Sequence, residues 1–215
     1  VRAAMDATTA APSDAPARAT FRELVAHPSM VRALCAIFAA APIFGFALGW
    51  GAKYLHRTFG TPQAEVGHYL WLPPLMFDAG AILFGDLASR QQRAPGQPPR
   101  LLYAIAIPIA ASLALLPYAT SEWTAMVVVG AAMAGGGGLY TLTTADLLAR
   151  VPAGSVSFAG GLMAGAQSLA LVIVNPLIGW SVDTHGNYDL VAWTLGAWAI
   201  PGSIIWLAWR PRAFR

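Results

Sequence analysis

Six stretches of this chain run for about twenty residues or more with almost no charge, and short polar segments separate them. They cover residues 33–51, 66–89, 101–119, 123–149, 157–180 and 190–209. Each is close to the roughly 20 residues that a hydrocarbon layer about 30 Å thick demands of a helix. Hydrocarbon offers a backbone no outside hydrogen-bond partner, so spans this apolar are predicted to be helical. A membrane β-barrel would need short segments of alternating polarity, and none is present. The pattern predicts an all-α polytopic membrane protein, a bundle of six transmembrane helices over residues 31–212.

Composition agrees with the pattern. Of the 215 residues, 57% are hydrophobic and only 11% charged, against about 25% charged in soluble domains. Mean hydropathy is +0.56. A net charge of +3 would suit nucleic acid if the charges were clustered on one surface. They are sorted by side instead. With six crossings, eleven of the 13 Lys and Arg fall on the side of the termini, and only Lys53 and Arg57 fall on the other. That asymmetry predicts cytoplasmic termini and a lipid bilayer, not nucleic acid, as the partner. Trp50, Tyr54, Tyr69, Trp71, Tyr118, Trp123, Trp180 and Tyr188 are expected at the outer interface, and Tyr103, Trp206 and Trp209 at the inner one.

Before the first span, residues 1–20 are rich in Ala, Thr and Pro and read as a flexible cytoplasmic tail or linker. Residues 21–32 suggest a short interfacial helix with Phe21, Leu24 and Val25 on one side. No secretory signal is legible there. Because residue 1 is Val, we expect the natural protein to begin further upstream. Cys35 is the sole cysteine, which excludes an internal disulfide. The scattered histidines suggest no metal site, and no cofactor is implied.

Polar side chains inside the spans single out candidate chemistry. Asp78 lies near the middle of 66–89. A carboxylate at that depth costs roughly 2.5–3.5 kcal/mol on the insertion scale and belongs against protein or water. Gln167, Ser168 and Asn175 lie in the fifth span, and Tyr140, Thr141, Thr143 and Thr144 in the fourth. The third and sixth spans have no ionisable interior group and are expected to be lipid-facing supports, with spans one, two, four and five surrounding a wet pathway. Four consecutive glycines, Gly135, Gly136, Gly137 and Gly138, allow either a mid-membrane hinge or close helix packing. Trp50 and Lys53 close the first span, where Lys53 would steer an anion or snorkel to the interface. Asp146 and Arg150, four residues apart, fit a helix-end ion pair, with a contact to Arg90 or Arg93 as the alternative.

Three segments carry a resemblance to a known family. GDLASRQQR (85–93) looks like a short inner hairpin of G-x-x-x-D-R type. Gly85 and Arg90 match that pattern, Ser89 stands where an acid is expected, and Asp86 comes one turn early. PLIGWSVDTHGNYD (176–189) resembles the end of an eleventh helix. WLPPLMFDAG, LGWGAKYL and YTLTTADLLARVPAGSVSFAGG together resemble the anion:cation symporters that include hexuronate carriers. Residues 21–212 thus resemble helices seven to twelve of a major facilitator superfamily transporter. That resemblance implies alternating access, a small organic anion such as a sugar acid, a coupling ion (a proton), and location in a bacterial inner membrane. It implies no enzymatic activity. The polar pattern within the spans assigns Asp78, Gln167, Asn175, Tyr140, Thr143, Trp50 and Lys53 to substrate or pathway, and Asp146, Arg150 and the glycine run to gating. The resemblance adds Gly85, Asp86, Arg90 and Arg93 of the hairpin to gating. It also implies a missing N-terminal six-helix half, or a second copy in its place, with the family's coupling acids and anion-binding Arg mostly in that missing half. A free-standing six-helix scaffold is the other reading. A rhomboid-like protease would need an intramembrane Ser–His pair, but His27, His56 and His185 lie outside the spans and His68 sits at the very end of the second.

Overall fold

In the computed structural model, which describes residues 19–91 and 97–209, the chain is an all-α bundle with six helical segments long and apolar enough to cross a membrane. These are Pro28–Gly49, Gly67–Arg90, Arg100–Tyr118, Glu122–Leu148, Ala153–His185 and Asp189–Ala208. Among the described residues there is no β-strand. The helices are α1 (Phe21–Ala26), α2 (Pro28–Gly49), α3 (Gly51–Phe59), α4 (Gly67–Leu70), α5 (Leu72–Arg90), α6 (Arg100–Ala111), α7 (Glu122–Leu148), α8 (Val156–His185) and α9 (Asp189–Ala208). The third span tightens from α-helix to a 3-10 helix at Ser112–Tyr118, where the missing side chain of Gly196 lets α9 sit against Ala111 and Ala114.

The centre is made by the first and fourth spans. In each, 67% of the apolar window is buried, against 17% in the second and fifth. Helix α5 packs on α7, α7 on α2, and α2 on α8, while α6 and α9 pack on each other and behind α7 and α2. The arrangement is a row, α5–α7–α2–α8, with two helices behind it. It corrects the expected partition in two respects. The third and sixth spans are core-forming, with 33% and 44% of their windows buried, more than the second and fifth. The other four line one open face and do not encircle a channel.

The extensive contacts have an internal symmetry. Span two packs on four as five packs on one; three packs on four as six packs on one; one meets four, and three meets six. Exchanging each span for the one three places along leaves the set unchanged. An odd offset also reverses the direction of crossing, so the bundle is two three-helix units of opposite topology, a construction recurrent in transporters.

Close approach depends on small residues, because lipid supplies no hydrophobic drive for helices to associate. A side chain at Gly80 would strike the Ala134 backbone, one at Gly135 the Ala110 backbone, and one at Gly137 the Phe77 carbonyl. Helix α7 runs unbroken through the four glycines. Of the two expectations for that run, the structure displays packing.

Two local expectations are corrected at the end where α2 begins. Residues 28–32 belong to the spanning helix, which starts with Pro28 in its first turn and His27 as its cap. Among the described residues the short helix α1 precedes it, started by a Thr20–Glu23 capping box. That helix is docked: Leu24 is fully buried with Met30, Leu147 and Met163, and Phe21 meets the Phe158 ring edge-on at 5.6 Å. The second correction concerns Gly85–Arg90, expected in a hairpin, which continues α5 as helix.

Candidate functional site

The open face of the row carries the polar side chains. Asp78 is exposed near the middle of its span and makes no hydrogen bond or ion pair among the described residues. Its position follows from helical periodicity. Pro73, Gly80, Phe84 and Ala88 form the buried stripe of α5, which seats on α7 through Gly80 against Ala134 and Phe84 against Gly138. Pro74, Asp78, Ala81 and Gly85 form the adjoining stripe by i, i+4, i+7 spacing. At its far end the Gly85 backbone faces the Thr141 side chain. Phe77, beside Asp78, meets Phe44 of α2 at 5.4 Å and Tyr140 of α7 at 6.3 Å between ring centroids. An aromatic layer from three helices therefore floors the region next to the carboxylate. The opposite edge of α5 is apolar, with Leu83 and Leu87 exposed. This suits a helix that presents one side to lipid and the other to something wet.

At the other end of the row, Ser168 and Asn175 share an exposed stripe of α8 two turns apart, and Gln167 is half-buried. Asn175 reaches the first span. The Trp50 indole N–H donates to its Oδ1 at 3.0 Å, and the Lys53 ammonium lies 4.5 Å from the centre of the Trp50 ring. The structure thus brings together Trp50, Lys53 and Asn175 at the end of the bundle remote from the termini; Tyr140 meets Phe77, the chain neighbour of Asp78, and not Asp78 itself. Above the Trp50 group, α3 covers a ring cluster of Phe46, Tyr54, Phe59 and Tyr188. Burial there, with the Asp189 charge adding, pushes the Tyr54 hydroxyl up to about 12.

Thr143 belongs to a different place. It is buried on the side of α7 turned to α6, where its hydroxyl donates to the Tyr103 hydroxyl at 3.5 Å. Tyr103 stacks on Trp206 at 3.8 Å. Both rings are fully buried, so neither is the interfacial anchor that was expected. Arg32 lies over the other side of this group, 4.8 Å from the centre of the Trp206 ring. Its guanidinium donates to the Trp206 and Trp209 carbonyls at the end of α9 and is ion-paired with Asp146. Arg150 pairs with the second Asp146 oxygen at 2.8 Å, as the i, i+4 spacing predicts. Arg90 does not reach Asp146; it pairs with Asp86 at 2.7 Å on the surface of α5. Arg93 lies outside the described residues. Sequence reasoning counted Arg32 only toward orientation. The legible signal was an Arg one turn into a span and an Asp one turn from the end of another, charges that six alternating crossings place at the same depth.

The groups at hand are one unpaired carboxylate, amides, hydroxyls and cations. Among the described residues no three His, Cys, Asp or Glu side chains cluster as a metal site would require. The open face can hydrogen-bond a polar solute. Compared with known proteins, the chain matches no family model and no curated protein.

Proposed function

We propose that this chain supplies one six-helix half of a secondary transporter of major facilitator type, carrying a small organic anion such as a sugar acid by proton-coupled alternating access. The observation that carries the reading is Asp78, an exposed carboxylate without a partner among the described residues, at the middle of a spanning helix. Ionisable groups at such depth mark solute or ion pathways. An inverted repeat of three helices supports the same reading. The charge asymmetry supports cytoplasmic termini, and the resemblance to the anion:cation symporters supports a bacterial inner membrane. The open face of the row is closed by a second six-helix unit, either an N-terminal half or another copy, and the solute passes between the two. Arg32, Asp146 and Arg150 hold the cytoplasmic ends of the first, fourth and sixth spans together as one rigid body.

The test is uptake of radiolabelled glucuronate by membranes holding the complete assembly under an inward proton gradient. Asp78→Asn is expected to lower the rate at least tenfold while membrane insertion stays unchanged. Uptake at the wild-type rate by that variant sinks the proposal.

A further inference from the structure

The Trp50 group has a geometry of its own, apart from the mid-span carboxylate. Trp50 is six residues beyond Phe44, about 9 Å further along the helix at 1.5 Å per residue. Its indole edge comes against α8 at Gly179, where a side chain would press on the ring at 3.3 Å. The indole N–H can be answered only by an acceptor, which fixes Oδ1 of Asn175 toward the ring. The Asn175 NH2 group, with two donors, is left facing away from the indole. Asn175 is exposed, as are Leu48, Gly49 and Lys53 around it. The same indole holds the Lys53 ammonium over its face, and a cation there keeps its three N–H donors. Asp183 is ion-paired with Arg57 at 3.8 Å. Lys53 has no carboxylate partner among the described residues.

The group therefore offers a positive charge and amide donors, held by one aromatic plate, with no acceptor in excess. A carboxylate is the ligand that such a set recognises, since an ionised carboxylate is acceptor-only and charge-assisted bonds to it are the stronger kind. We propose that Lys53 and Asn175, positioned by Trp50, form an entrance site that captures the carboxylate of an organic anion before it reaches Asp78. The proposal rests on the transport reading for its role but not for its binding chemistry.

Equilibrium binding to the full chain in lipid nanodiscs tests it, with glucuronate and its uncharged counterpart glucose as probes. Wild type is expected to bind glucuronate and not glucose. Lys53→Gln is expected to weaken glucuronate binding at least tenfold, and Trp50→Phe, which cannot donate to Asn175, to weaken it severalfold. Both side chains lie at the rim, so unchanged thermal melting will certify the fold. Equal glucuronate affinity in wild type and Lys53→Gln overturns the site, and so does absence of glucuronate binding by wild type. Charge-dependent binding in a chain that shows no Asp78-dependent uptake keeps the site and removes the transport reading.

Discussion

Two charged residues inside the bundle have opposite surroundings, and the contrast separates structure from function. Arg32 is buried, with Asp146 and two helix-end carbonyls around its guanidinium. Asp78 has no such partners and stands on the open face. A buried ion pair is costly to break because the remaining charge is uncompensated, typically about 3–5 kcal/mol, whereas an apolar pair of similar volume is close to neutral. Asp146→Ala is therefore expected to lower unfolding stability in detergent by about 3–5 kcal/mol. The triple change Arg32→Met, Asp146→Leu and Arg150→Met, which removes all three charges together, should recover most of that loss. If both variants melt as wild type does, the pair is not a structural tie. Asp78 was legible as an anomaly because one residue in an apolar run is conspicuous. The role of Arg32 was not, because its partners come from spans distant in sequence, and only the fold brings Asp146 and Trp206 to it.

Helix boundaries were well marked by charge and turn residues: the predicted third, fourth and sixth spans each lie within one residue of the observed segments. What each helix does was harder to read. The third and sixth spans lack ionisable groups, which suggested lipid contact, yet that same apolarity lets them pack together behind the centre. The glycine run shows the ambiguity most clearly, since flexibility and close packing call for the same residue. The structure distinguishes its members. A side chain at Gly137 would collide with the backbone of α5, whereas one at Gly136 meets open space. Gly137→Val is expected to separate α5 from α7 and to abolish a cooperative melt. Gly136→Ala should be neutral or stabilise by up to about 1 kcal/mol, the ordinary helix-propensity gain. A melt that is equally weakened by both would point to the run acting as a hinge.

Across the whole molecule, the opposed three-helix units leave the second and fifth spans with only 17% of their apolar windows buried. That exposure is uneven in chemistry. On α5, Leu83 and Leu87 make an apolar edge, while the stripe of Asp78 and Gly85 borders the aromatic layer of Phe44, Phe77 and Tyr140. Lipid satisfies the first edge and not the second, so the account requires water, a solute or polar protein beside Asp78. Sequence alone gave the depth of that residue but not the side it faces, because facing depends on how α5 rotates onto the glycines of α7. The most direct measurement replaces Cys35 by Ser, introduces Asp78→Cys or Leu83→Cys singly, and exposes intact membranes to a charged, membrane-impermeant thiol reagent. The account predicts rapid labelling of the Asp78→Cys chain and none of the Leu83→Cys chain. Equal labelling of the two, or none of either, would contradict it.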